Sequence, residues 1–135
     1  MFVSNRLCVL LLLLSFGVAT PASAAVEVFY CADDDRVGFE PTEQYEMGRY
    51  NPQRFIIKVD FQTDNIISEK LYFEKHNKTV CMKTPIPEDV LYCQNWLGTS
   101  FAFNKTTLKY HLANVFLQDA PSDTIILSHG SCEKF

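Results

Sequence analysis

Glycine is scarce in this chain, and the five that occur are scattered, so no phosphate-cradling glycine-rich loop can be drawn through them. There is no Gly-x-Ser-x-Gly elbow to present a nucleophilic serine. Histidine supplies only His76, His111 and His129, so any imidazole chemistry rests on three positions. No Cys-x-x-Cys pair is present, which removes the spacing that structural zinc sites favour. Basic residues do not dominate either. The formal net charge is −4, which argues against non-specific binding to nucleic acid or to an anionic membrane. Apolar residues keep no 3.6-residue period over three turns anywhere, so amphipathic helices are not expected.

A long apolar run occurs once, at the start. Arg6 supplies a positive charge, Leu7 to Leu14 with Phe16 and Val18 follow as a short apolar stretch, and Ala22-Ser23-Ala24 forms a small-x-small cleavage site. Residues 1–24 therefore read as a secretory signal peptide, and residues 25–135 as a single β-rich domain. No segment of that domain has the length or apolarity of a transmembrane helix. The expected location is secreted or periplasmic.

Removing the leader removes Cys8 and leaves Cys31, Cys81, Cys93 and Cys132. An even number of cysteines in an exported chain reads as two disulfides. Of the three pairings, Cys81–Cys93 with Cys31–Cys132 is favoured: the first staples a local excursion, the second clasps the first strand to the last. The chain-entropy account gives about 3 kcal/mol for the short loop and about 4–5 kcal/mol for the long one.

The domain breaks into short runs rich in Val, Ile, Phe and Tyr, separated by turn residues roughly every eight to twelve positions. Val26 to Cys31 is the first run, ended by Asp33-Asp34-Asp35, and Val37 to Phe39 resumes an edge. Pro41 to Asn51 reads as a polar loop or a ragged hairpin. Arg54 to Phe61 is the clearest strand, with Phe55, Ile57, Val59 and Phe61 alternating against Ile56, Lys58 and Asp60. Thr63 to Asn65 turns into Ile66 to Glu74, a hairpin partner. Thr79 to Met82, Val90 to Cys93, Ser100 to Asn104, Leu108 to Leu117 and Thr124 to Cys132 complete the set, and a single helical turn is allowed only within Glu88 to Trp96. In the last two runs Leu108, Tyr110, Leu112 and Phe116 share a face, which sends His111 the other way. Ile125 and Leu127 oppose Ile126. Seven or eight short strands so spaced predict an all-β fold, a small antiparallel barrel or sandwich stapled by disulfides.

Little chemistry is visible. Asp33-Asp34-Asp35 with Gly38 begins like a calcium loop, but Gln44 stands where the twelfth-position glutamate belongs, so a solvated turn is expected. His111 and His129 fall on the last two predicted strands as candidate cross-strand neighbours, where a metal pair or a proton switch is conceivable, but ordinary half-exposed side chains are expected. No catalytic set, cofactor or metal site is expected. Asn77-Lys78-Thr79 and Asn104-Lys105-Thr106 match the N-glycosylation acceptor in turns, a pattern that carries meaning only in a eukaryotic pathway. Among the aromatics Tyr30, Phe39, Tyr45, Tyr50, Tyr72, Tyr92 and Trp96, the two in the polar loop, Tyr45 and Tyr50, are the expected interaction surface.

Phe29-Tyr30-Cys31 near the start of the domain, Val37-Gly38-Phe39, Phe101-Ala102-Phe103-Asn104, and Gly130 to Phe135 at its end form a frame. It resembles a group of small exported proteins from marine proteobacteria. That resemblance spans most of the domain and implies a periplasmic β-domain without a defined activity. The chain is also similar, more distantly, to the small periplasmic inhibitors of C-type lysozyme, compact barrels with a Tyr-Cys-like opening and a disulfide between the chain ends. Their inhibitory loop carries Ser-Gly, a dipeptide missing here, so no inhibitory residue is carried over. The expected function is a non-catalytic binding or envelope-associated module with a protein or envelope partner. The alternatives are a lysozyme or hydrolase inhibitor and a small-ligand carrier. The carrier would need an interior cavity, which side chains should fill in a barrel this small.

Overall fold

The computed structural model describes residues 26–40, 43–71, 73, 78–85, 89–115 and 124–135. The expected signal peptide, Tyr72, His76, Asn77 and Phe116 lie outside them. Among the described residues nine strands form: β1 (Val26–Phe39), β2 (Met47–Arg49), β3 (Arg54–Asp60), β4 (Asn65–Ile67), β5 (Val80–Lys83), β6 (Val90–Gln94), β7 (Thr99–Asn104), β8 (Lys109–Val115) and β9 (Ile125–Lys134). They make one antiparallel sheet in the order β4-β3-β1-β9-β8-β7-β6-β5, and β2 adds to the far half of β1. Strands β5 to β9 are a plain meander, and β9 then pairs with β1, so the first strand closes against the last.

The two end strands of the sheet, β4 and β5, meet without a ladder and leave a nearly closed barrel of eight strands. Side chains span this seam. Lys83 Nζ lies 2.9 Å from Asp64 Oδ1, and Cys81 Sγ lies 3.6 Å from Asn65 Oδ1. Alternation along the strands puts the core inside. Phe55, Ile57 and Val59 of β3 are buried while Ile56 and Lys58 are exposed, as the period-two pattern demands. Phe29, Phe73, Phe101, Phe103 and Tyr110 fill the lumen with rings, several in edge or stacked contact; Phe101 and Tyr110 stack at 5.3 Å. Disulfides join Cys31 to Cys132 across β1 and β9, and Cys81 to Cys93 across β5 and β6. Each links residues that face each other directly in register.

Three local expectations are corrected. Asp33-Asp34-Asp35 is not a turn, because β1 runs straight through it with a bulge: Asp33 pairs with Gly130 and Asp35 with His129, leaving Asp34 extra. The carboxylate of Asp33 is buried here and satisfied. It accepts from the Tyr110 hydroxyl at 2.6 Å, from the Gln53 amide at 2.8 Å and from Arg36 at 3.4 Å. The chain allowed a helical turn at Glu88 to Trp96, yet the described part is strand β6. Leu91 and Cys93 point inward there, facing Phe103 and Phe101 on β7. The partner of β3 is shorter than Ile66 to Glu74. β4 stops at Ile67, and Ser68 bridges to Phe73 so that Leu71 and Phe73 turn back into the core. The polar loop contains the three-residue β2, with Tyr45 held in a turn by the hydrogen bond its amide N–H donates to the Glu40 carbonyl.

Candidate functional site: a groove on the outer wall

Register places two outward rows side by side across five strands. One row runs Tyr92 (β6), Ala102 (β7), His111 (β8), His129 (β9), Asp35 (β1). The next runs Gln94, Ser100, Ala113, Leu127, Val37. At β7 and β8 three of the four outward side chains are Ser or Ala, so the wall is hollow there. Larger residues stand on either side, Tyr92 toward β6, Leu127 and His129 toward β9. The result is a groove of about 380 Å3 with mostly apolar walls. That size is at the lower end of ordinary ligand sites.

The bulge in β1 completes one end of it. Before Asp34 the odd-numbered residues Phe29, Cys31 and Asp33 point inward; beyond it the even-numbered Arg36 and Gly38 do. Asp35 and Val37 are thereby turned outward into the groove wall. Asp35 Oδ1 accepts from the Arg36 amide at 2.9 Å and pairs with Arg49 Nη1 at 3.0 Å, an exposed pair worth at most about 1 kcal/mol. At the other end the Tyr92 hydroxyl lies 3.2 Å from Ser100 Oγ. Ser128 also borders the groove, but between the outward Leu127 and His129 its side chain alternates inward, and its buried hydroxyl has no hydrogen-bond partner among the described residues. A buried polar atom left so costs about 1–3 kcal/mol.

The histidines are brought together. His111 and His129 face each other directly on β8 and β9, both exposed, with ring centroids 6.3 Å apart. No group of three His, Cys, Asp or Glu with metal-binding proximity occurs among the described residues. A second hollow of about 450 Å3 lies over β3 and β4, but Arg54, Lys58, Glu69 and Lys70 shape it, and long exposed side chains make a pliable wall.

The expected interaction residues fall elsewhere. Tyr45 is exposed on the β1–β2 turn, away from the groove lining. Tyr50 is half-buried: its ring lies over Gly38, where a Cβ would come within 3.1 Å of its Cδ2, and its hydroxyl donates to Glu40 Oε1. That bond, with some burial, raises the phenol above its ordinary range. The cysteines are spent in their bridges. Trp96, 63% exposed, tops the β6–β7 turn, where Asn95 Oδ1 accepts from the amides of Leu97 and Thr99 and fixes the loop. Sequence reasoning missed the groove because its signal is a set of small outward residues on neighbouring strands. Ser100, Ala102 and Ala113 mean nothing until register aligns them. No family model, curated protein or solved structure matches this chain.

Proposed function

We propose that this protein is an exported, non-catalytic binding module, and that the outer groove takes one aromatic group carrying a polar handle, a tyrosine or tryptophan side chain of a partner protein. The observation that carries this reading is the hollow of about 380 Å3 walled by rigid paired strands, with the outward Tyr92 and Ser100 hydroxyls at one end of it. An aromatic ring suits mostly apolar walls, and its O–H or N–H suits the outward Ser100 hydroxyl as acceptor. Preformed walls limit the ordering cost of binding. Export is supported by the Arg6-to-Ala24 pattern together with two disulfides, which persist in oxidising compartments.

The test is an NMR titration of the oxidised domain with N-acetyl-tryptophanamide and N-acetyl-tyrosinamide. Shift changes should gather on Ala102, Ala113, Leu127 and Ser128, and Ala102→Trp, which fills the hollow, should abolish them while keeping the spectrum folded. Ser100→Ala should weaken binding of both probes. Shifts confined to Tyr45 or Trp96, or none at all, would overturn the assignment of the groove. Stoichiometric inhibition of a C-type lysozyme by a domain whose groove binds neither probe would replace it with the inhibitor reading.

A further inference from the structure

We infer that His111 and His129 form a two-imidazole site for a divalent late transition metal ion, copper(II) above zinc(II), on the outer wall of β8 and β9. This goes beyond the aromatic-binding reading and does not depend on it.

The two residues are direct cross-strand partners in the β8–β9 ladder, a position that holds paired Cβ atoms about 5 Å apart without any folding cost to be met by the ion. Their ring centroids are 6.3 Å apart. With a metal–nitrogen bond of about 2 Å, two imidazoles bound side by side on one ion have centroids about 4.5–5.5 Å apart. Closing by about 1 Å requires only small rotations of two exposed side chains. The strands that carry them are the interior of a seven-residue and a ten-residue strand, each paired on both sides, so the donors sit on rigid elements.

The surroundings suit this use. On the far side of His129 stands Asp35, at the paired position of β1. Its Oδ1 is held by Arg49 and by the Arg36 amide, and no three such groups stand within metal-binding reach among the described residues, so it serves as an outer carboxylate. A carboxylate next to a ligating histidine orients the ring and raises its basicity. On the other side Ala102 leaves room beside His111 for the waters that complete the coordination shell. Imidazole nitrogen with water is a borderline donor set, and among first-row divalent ions it ranks copper(II) highest. The sequence puts both histidines on adjacent predicted strands, where a metal pair is conceivable, but it favours ordinary half-exposed side chains until register sets them opposite each other.

Untagged oxidised protein titrated with copper(II) chloride, followed by calorimetry and electron paramagnetic resonance, tests it. One equivalent should bind with the nitrogen splitting of two imidazoles, and zinc(II) should bind at the same place more weakly. His111→Asn and His129→Asn should each lower copper affinity by more than about tenfold, since even an outer partner of a metal ligand is worth that much. The melting temperature without metal should be unchanged, and His76→Asn should leave copper affinity as it was. No saturable binding, binding that survives both His111→Asn and His129→Asn, or binding lost with His76→Asn would overturn the site.

Discussion

Asp33 shows how much one side chain organises here. Its carboxylate is buried inside the barrel wall, and three donors from separate segments converge on it: Tyr110 from β8, the Gln53 amide before β3, and Arg36 from its own strand. Gly130 belongs to the same cluster, since a Cβ there would meet the Ala32 carbonyl oxygen at 2.0 Å and the Tyr110 hydroxyl at 2.8 Å. Replacing Tyr110 by Phe deletes a bond to a buried charge and should cost about 2 kcal/mol in urea unfolding at neutral pH. Tyr110 also gives a pH signature. Burial first, then its bond to Asp33 and the nearby negative charge, push its phenol well above the ordinary range. A group whose folded pKa is raised contributes stability that is complete below the unfolded value, about 10 for tyrosine, and is lost as pH climbs beyond it. Wild type should therefore lose stability more steeply than Tyr110→Phe above about pH 10. Parallel slopes in the two unfolding series would contradict the assignment.

At the scale of elements, the bulge in β1 matters most. One unpaired residue, Asp34, shifts the inward parity of the strand, so Arg36 and Gly38 face the interior while Asp35 and Val37 face the groove. Deleting Asp34 should remove the bulge and leave unbroken alternation with Asp33 and Arg36 still inward and Asp35 and Val37 still outward. The expected outcome is a retained cooperative thermal transition for the deletion as well as for Asp34→Ala, which keeps the bulge; loss of the transition in the deletion alone would show that the bulge itself holds the strand. The strands themselves were largely legible. Alternation of Phe55, Ile57 and Val59 announced β3, and the parity of Tyr110 and Leu112 against His111 held in β8. The bulge was not legible, because three consecutive aspartates look like solvent-exposed turn until partners 20 and 77 residues away neutralise the cost of burying the first.

The whole molecule is a small barrel held at both flanks by covalent bridges. Cys31–Cys132 spans a separation of 101 residues and ties β1 to β9, where the sheet closes the first strand on the last. Cys81–Cys93 spans 12 and fastens β5, the end strand at the open seam, to β6. By the chain-entropy account the double variant Cys31→Ala/Cys132→Ala should lose about 4–5 kcal/mol, and Cys81→Ala/Cys93→Ala about 3 kcal/mol. Dithiothreitol should accordingly lower the melting temperature of wild type by many degrees, in scanning calorimetry of the oxidised and reduced forms. Equal transitions would show that packing alone holds the barrel.

Local patterning by itself determined the all-β class, the alternating core faces and the cysteine pairs worth joining, because each depends on neighbours a few positions apart or on simple counting. Tertiary structure alone decided that Asp33 is buried, that Ser100, Ala102 and Ala113 hollow the outer wall, and that His111 stands opposite His129 with Asp35 beside them. Those facts arise from ladder register and from a one-residue bulge, which are set by pairings between distant strands and leave no periodic trace along the chain.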